Sequence, residues 1–458
     1  MKAMSTDAIT PPVNSNEDGS ALFADGPAAK PAAEPTNGPP RLRRADRSQV
    51  SMIMAALDAL LPAEHQARVV WQFVETLDLD PLHAAIRAVP GRAGRDATDP
   101  RILMSLWLYA TLDGVGSARR LAQLCEDHLA YRWICGGVSM NHHTLADFRT
   151  AHVEVLDRLL TESVAVLMNE DLVTMERVAQ DGLRVRASAG TASFRREERL
   201  KDLAEQARQQ VEALRQEVAD NPAGASRRQR AARERAARER QERIARAQAE
   251  LPSVRAKKRS DKEQARVSTT DADARFMKMA DGGIRPAVNV QFATDTASQV
   301  ITGVDVTNNG SDMGQMVPMI QQHEDRHGRP PGAMLVDGGF ASRDDIDAAT
   351  HREPATVVYA PVQKSRKNKG ALCYERQPAD TDAVAQWRQR MATPEAQEIY
   401  KERAATAECV NAIARNRGLR RLLVRGLRKI KAVVLWFALA HNLVRGAVLR
   451  RQAQPRVA

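Results

Sequence analysis

Three carboxylates, Asp181, Asp337 and Glu408, are the residues whose types and spacing could do chemistry. Val178-Ala179-Gln180-Asp181-Gly182 and Met334-Leu335-Val336-Asp337-Gly338-Gly339 are each an apolar run that ends in Asp and then Gly. Glu408 follows on a stretch with helical periodicity, so the order is strand acid, strand acid, helix acid. A carboxylate at the C-terminal end of a central strand points into the crevice where open α/β sheets take ligands, and the Gly after it lets backbone or substrate approach. Magnesium takes oxygen ligands and only a few carboxylates, so three acids from separate elements suffice for an ion pair that also grips a phosphate. The chemistry this predicts is two-metal phosphoryl transfer on nucleic acid. Singly, an Asp-Gly after an apolar run is also an ordinary strand-to-turn boundary; the argument rests on the set.

The elements that must position these acids follow from pattern. Thr393-Pro394-Glu395 is a helix start, with a capping hydroxyl, Pro at the first helical position and an acid at the positive end of the dipole. Gly418 can close that helix. At about 100° per residue Tyr400, Glu408, Asn411 and Arg415 fall within roughly 80° of one another. Strands are expected up to Asp181, over Ala287–Thr294, Val300–Thr307, Ala333–Asp337 and Thr356–Ala360. The second and third form a hairpin, and helices at Asp312–His327 and Ser342–Ala349 connect the rest. This predicts a mixed five-stranded α/β sheet in RNase H-like order.

Around that sheet the chain of 458 residues leaves room for roughly three units. Residues 1–44, rich in Ala, Pro, Asn and Asp and without the apolar core of a signal peptide, read as a disordered leader. Residues 45–171 are helical throughout and predict an all-α N-terminal domain, with Ser117 capping one helix. Residues 172–193 and 267–448 carry the sheet and its helices. Between them, 194–266 is a charged Ala-, Glu-, Gln- and Arg-rich stretch that reads as an inserted helical hairpin, its second helix running from Ser226 to a stop at Pro252. Residues 449–458 form a basic tail.

The net charge of +11 points to a polyanionic partner. From Lys401 onward fourteen Lys and Arg stand against Glu402 and Glu408, so the positive charge gathers where the third acid sits. Cys125, Cys135, Cys373 and Cys409 form no C-x-x-C pair, as expected in a reducing cytoplasm. A zinc site from Cys125, His128, Cys135 and His142 would match no common spacing. The apolar run Ala432–Ala440 is too short to span a bilayer and is expected to be a buried helix, without a membrane.

Tyr400-x-x-Arg403-x-x-x-x-Glu408-x6-Arg415 resembles the Y-R-E-K signature of the DDE transposases of bacterial insertion sequences. The strings at Asp181 and Asp337 resemble that family's first and second catalytic aspartates, and Ser268–Arg275 resembles a stretch found before its second strand. Asp99-Pro100 through Phe148-Arg149 is similar to the family's helical N-terminal domain, and Leu439-Ala440-His441-Asn442-Leu443 to its C-terminal helix. The resemblance spans about residues 45–448. It implies that Asp181, Asp337 and Glu408 are catalytic and hold two Mg²⁺ ions, with Mn²⁺ as a substitute. Tyr400, Arg403, Arg415, Arg420, Arg421 and Lys429 would contact DNA. It further implies metal-dependent cleavage at inverted-repeat ends, strand transfer into target DNA and a homo-oligomer on double-stranded DNA. Two departures stand out: Arg415 replaces the signature's Lys, and Arg403 and Glu408 are one residue further apart than in the best-known version. A transposase-derived protein that binds DNA without cutting, a nuclease of the same fold and a coiled-coil protein are the alternatives; the hairpin lacks the sustained heptads the last would need.

Overall fold

A computed structural model describes residues 54–89, 91, 96–220, 226–258, 260–362 and 373–454. The expected leader, the break at Asn221–Gly224 and the last four residues of the basic tail lie outside that set; Leu449–Ala453 are the end of a helix.

Among the described residues of the N-terminal third, seven α-helices build an apolar core. Asp99 accepts from Arg101 N and Pro100 takes the first position of helix Pro100–Leu112, whose Leu103–Ala110 stretch is wholly buried. The Ser117 hydroxyl accepts from Arg120 N and opens the next long helix, as its sequence suggests. Cys125 and Cys135 come together inside this core. Among the described residues neither His128 nor His142 joins these two cysteines in a group that could hold a metal ion.

The main sheet has six strands: β1 (Arg177–Arg186), β2 (Arg275–Lys278), β3 (Ile284–Asp295), β4 (Ile301–Thr307), β5 (Ala333–Leu335) and β6 (Val357–Tyr359). β3 pairs antiparallel with β1 along one edge and with β2 and β4 along the other; β5 and β6 extend the sheet in parallel beyond β1. Five of these are the expected strands, three in antiparallel pairing and two reached through the helices Met316–His327 and Arg343–Thr350. β2 is an addition to the expected five. Its four residues alternate too briefly to register as a strand, and the edge of β3 supplies the pairing.

Other expectations need correction. β1 does not end at Asp181: Leu183 and Val185 continue the inward alternation and pair with Val290 and Val288, so the Asp-Gly pair lies mid-strand. The helix expected from Asp312 starts at Met316, because Asp312 is used as a side-chain acceptor in the preceding turn. The inserted hairpin, Glu197–Asp220 and Arg227–Lys257, opens its second helix on a capping box of Ser226 and Gln229. Pro252 does not stop that helix. The final turn loses one backbone bond at the proline but is tied down by Arg255, 2.6 Å from Glu197, and by Leu251 at the buried base of the hairpin.

Helix Leu427–Ala453 is long and apolar enough to cross a membrane, but Ile430 and Ala432–Leu443 are buried within the protein. It packs on the helices Pro100–Leu112, His142–Ala151 and Val153–Asn169 on one side and on β4 on the other. Polar groups fix its register. Trp436 Nε1 donates to Arg149 O at 3.0 Å, and Asn442 both accepts from Ile301 N and donates to Ile301 O at 2.8 Å. Asp271 and Asp273, in the stretch before β2, accept from Gly426 N and Leu427 N, so two carboxylates from elsewhere in the chain serve the helix's unpaired N-terminal amides.

Candidate active site

β1 and β5 pair in parallel with Ala179 opposite Leu335. Two residues further along each chain stand Asp181 and Asp337, at the same level and on the same side of the sheet. Past β5 the chain turns, with Gly339 N donating to Asp337 Oδ1 at 2.7 Å and Phe340 N to Asp337 O. The Asp181 carboxylate accepts from Gly182 N at 2.9 Å and, on Oδ2, from Asn411 Nδ2 at 2.8 Å. Burial pushes the Asp181 carboxyl above its usual range, against the opposing pull of Arg403.

The third acid arrives on an interrupted helix. Thr393 caps it as expected, its hydroxyl accepting from Ala396 N, and Gly418 at φ +96° follows its end. Between Pro394–Arg403 and Cys409–Asn416, however, Ala404–Glu408 form a π turn. This accounts for the extra residue between Arg403 and Glu408. Five residues of regular helix would leave the two side chains about 140° out of phase; bonding i to i+5 adds one residue to the turn and restores a common face. The turn packs on β1 and β3, with Thr406 and Ala407 buried, and just before it Glu402 accepts from Arg177 Nε at 2.9 Å and from the Thr296 hydroxyl at 2.8 Å.

The result is convergence on one cation. The Arg403 guanidinium lies 3.1 Å from Asp181, 3.9 Å from Asp337 and 3.7 Å from Glu408. Asp181 is 17% exposed, Asp337 41% and Glu408 65%, so the acids form a gradient from the sheet to an open surface. Tyr400 is half-buried beside them, and burial raises its phenol. Arg415, Arg420, Arg421 and Lys429 are all exposed and touch none of the three acids. Arg420 instead binds Arg415 O and Asn416 Oδ1, and the backbone of Arg421 bridges to Arg186.

Two residues at the site escaped the sequence reading. Asn411 falls on the shared helix face, but nothing in the pattern says that it grips Asp181. Asp312 lies against Gly182, where a Cβ would come within 2.1 Å of its Oδ1, and it accepts from Asn289 and Gln291 at 2.6 and 2.8 Å. The glycine after the first acid therefore makes room for a fourth carboxylate. The alternation of Asn289 and Gln291 along β3 was the available signal.

Three oxygen-donor side chains around a bound cation suit a hard divalent ion in chemistry. In the structure that cation is a guanidinium.

A family model described as a transposase domain (DUF772) matches residues 55–151, and one described as a transposase DDE domain matches 363–447. Both matches support a DDE transposase of an insertion-sequence family. The second match includes Glu408, and the fold places Asp181 and Asp337, which lie outside both matches, around the same guanidinium. Neither the curated proteins nor the solved structures contain a match to the chain.

Proposed function

We propose that this transposase cuts DNA at the inverted-repeat ends of its element and joins the freed ends to target DNA, with Asp181, Asp337 and Glu408 as the catalytic acids in an RNase H-like domain. The observation that carries this reading is the convergence of those three carboxylates on Arg403. In the cut, a water oxygen bonds to phosphorus and the P–O3′ bond breaks; the departing 3′ oxygen takes up the proton the water gives up. In the joining step that 3′ hydroxyl bonds to a target phosphorus and a second P–O3′ bond breaks.

Asp181, Asp337 and Glu408 would hold two Mg²⁺ ions, or Mn²⁺ in their place. Such ions activate the attacking oxygen and stabilise the leaving one. The protein's own part is positional. Asn411 and the Gly182 amide fix the Asp181 carboxylate, and the π turn aims Glu408. Arg403 balances the charge of the three acids, and with metal bound there its guanidinium would be available to a phosphate. Tyr400 and the exposed Arg415 would contact a bound strand, with Arg420, Arg421 and Lys429 extending the basic surface. A homo-oligomer on DNA would hold two ends together.

The test is cleavage of labelled DNA carrying the flanking inverted repeats, with Mg²⁺ and with EDTA. Wild type is expected to cut at the repeat ends only with metal, and Asp337→Asn to bind equally well and cut at least about 10³-fold more slowly, a loss of about 4 kcal/mol in transition-state stabilisation. Binding by wild type without cutting under either Mg²⁺ or Mn²⁺ would favour the DNA-binding derivative instead.

A further inference from the structure

Behind the Glu408 helix lies a second charged site, at the seam between the N-terminal helices and the C-terminal segment. A cavity of about 170 Å³ opens there, lined by Arg149, Arg417 and Arg421 together with Gly114, Gly116 and Gly418. None of its lining residues is acidic. Arg149 is held rigidly, its guanidinium 4.6 Å above the Trp107 ring and donating to Gly116 O. Its Nε is buried without a partner, and so is Nη1 of Arg417. Among the described residues no carboxylate comes within ion-pair distance of Arg149, Arg417 or Arg421. Burial draws Arg149 down to about 10 and Arg417 downward too, with no acid offsetting either shift.

A buried guanidinium without a counter-charge is costly, and removing water from its N–H groups adds to the cost unless an acceptor replaces it. Two other arginines show the usual solution: buried Arg388 sits 2.7 Å from Asp380, and Arg326 pairs with Asp157 at 2.5 Å. The seam pair has no such acid, and its cavity offers the volume of several waters, at about 30 Å³ each.

We infer that this cavity is a binding site for one phosphate group, taken between Arg149 and Arg417 with Arg421 at its rim. Guanidinium forks match phosphate oxygens bidentately, and two glycines in the facing loop leave the approach open. The group could be a backbone phosphate of the end DNA or a free phosphate ion. The first source rests on the DNA-cutting reading above; the second does not. With DNA as the source, the seam would clamp the duplex between the N-terminal helices and the segment that follows the Glu408 helix, tying end binding to the acids.

The full-length protein is melted in phosphate-free buffer and in rising inorganic phosphate, with sodium chloride at matched ionic strength as control. Wild type is expected to melt at higher temperature as phosphate rises. Arg417→Gln is expected to lose that response and, with an unpaired half-buried charge removed, to melt no lower than wild type without phosphate. Arg417→Lys, which keeps the charge but not the fork, should respond weakly and serves if the Gln variant fails to fold. Asp337→Asn should respond as wild type does, so failure at the acids and failure at the seam are separable. End DNA with single methylphosphonate linkages identifies the source. For a backbone phosphate, one position should weaken wild-type binding about tenfold and leave Arg417→Gln unaffected. A melting response without such a position assigns the site to a free phosphate. Neither response, or an Arg417→Gln variant that responds as wild type does, overturns the inference.

Discussion

The helix of Glu408 is broken by a π turn and leaves 65% of its functional acid exposed, whereas the helix Leu427–Ala453 runs 27 residues without interruption and buries Trp436, Phe437 and Leu439. The first combines a short apolar stripe of Ala407, Val410 and Ala414 with polar contacts of single side chains, Glu402 to Arg177 and Asn411 to Asp181. The second lies between the N-terminal helices and β4 and is held by continuous apolar packing. Buried apolar area stabilises at roughly 25 cal/mol per Å², while exposed ion pairs contribute about 0–1 kcal/mol. Irregularity is thus gathered on the helix that carries Glu408, and continuous apolar packing on the helix that carries none of the three acids. Such a division is expected where a site has to open and close locally without unfolding the rest.

The sharpest way to break this comparison is to change the length of the π turn. One alanine inserted after Ala405 would swing Glu408 by about 100° and take it out of the acid cluster; cleavage is expected to fall at least about 10⁴-fold, or about 5.5 kcal/mol. Deletion of Ala405 should do the opposite of harm: a regular helix would then present Arg403 and Glu408 on one face, and cleavage should stay within about tenfold of wild type. Labelled-end cleavage assays on both variants decide it. If insertion and deletion are equally damaging, the turn is not a spacer for Glu408.

Much of this was legible in the sequence. The strands at Ala287–Thr294 and Val300–Thr307 announced themselves by length and alternation, and Thr393-Pro394 and Ser117 by capping chemistry. Asp337 was expected as the last residue of a strand and stands two residues past its end at Leu335. The π turn was not legible, because a one-residue insertion leaves composition and helical propensity unchanged; only the altered spacing of Arg403 and Glu408 hinted at it. Asp181 was misplaced at a strand end because Asp-Gly signals a turn locally, and pairing with β3 overrides that signal. Asp312 and the seam Arg149–Arg417 depend on contacts between segments far apart in the chain, which no local pattern encodes.

A change in the final helix should strike stability in place of chemistry. Trp436 is 1% exposed, donates to Arg149 O and faces Phe148 at 6.1 Å between ring centroids. Trp436→Ala is expected to cost about 3–5 kcal/mol in chemical denaturation through the cavity left behind, while the molecules that remain folded cleave at the wild-type rate. A variant of wild-type stability, or one folded but inactive, would erase the distinction between the two helices.

The mildest test uses pH, and its sign follows from two buried rings. His441, on the final helix, donates from Nε2 to Gln299 O and is brought down to about 4 by burial; His323, whose Nδ1 faces Met319 O and whose Nε2 meets the Thr302 hydroxyl, is brought down to about 3 by the same cause. Both are neutral in the folded chain and charge near 6.5 when it unfolds, so the unfolded state binds more protons below that pH. Their contribution is complete above about 6.5 and is lost as pH falls, by up to roughly 1.4 kcal/mol per pH unit for each ring. Asp271 and Asp295, raised by burial, act in the opposite sense, gaining stability as they protonate. The histidine slope should therefore set in near pH 6.5 and approach its full size by about pH 5, above the range in which unfolded carboxylates titrate. Denaturation midpoints that stay level across that window would mean that the rings charge within the folded protein, and that the core around the final helix admits water more readily than its packing implies.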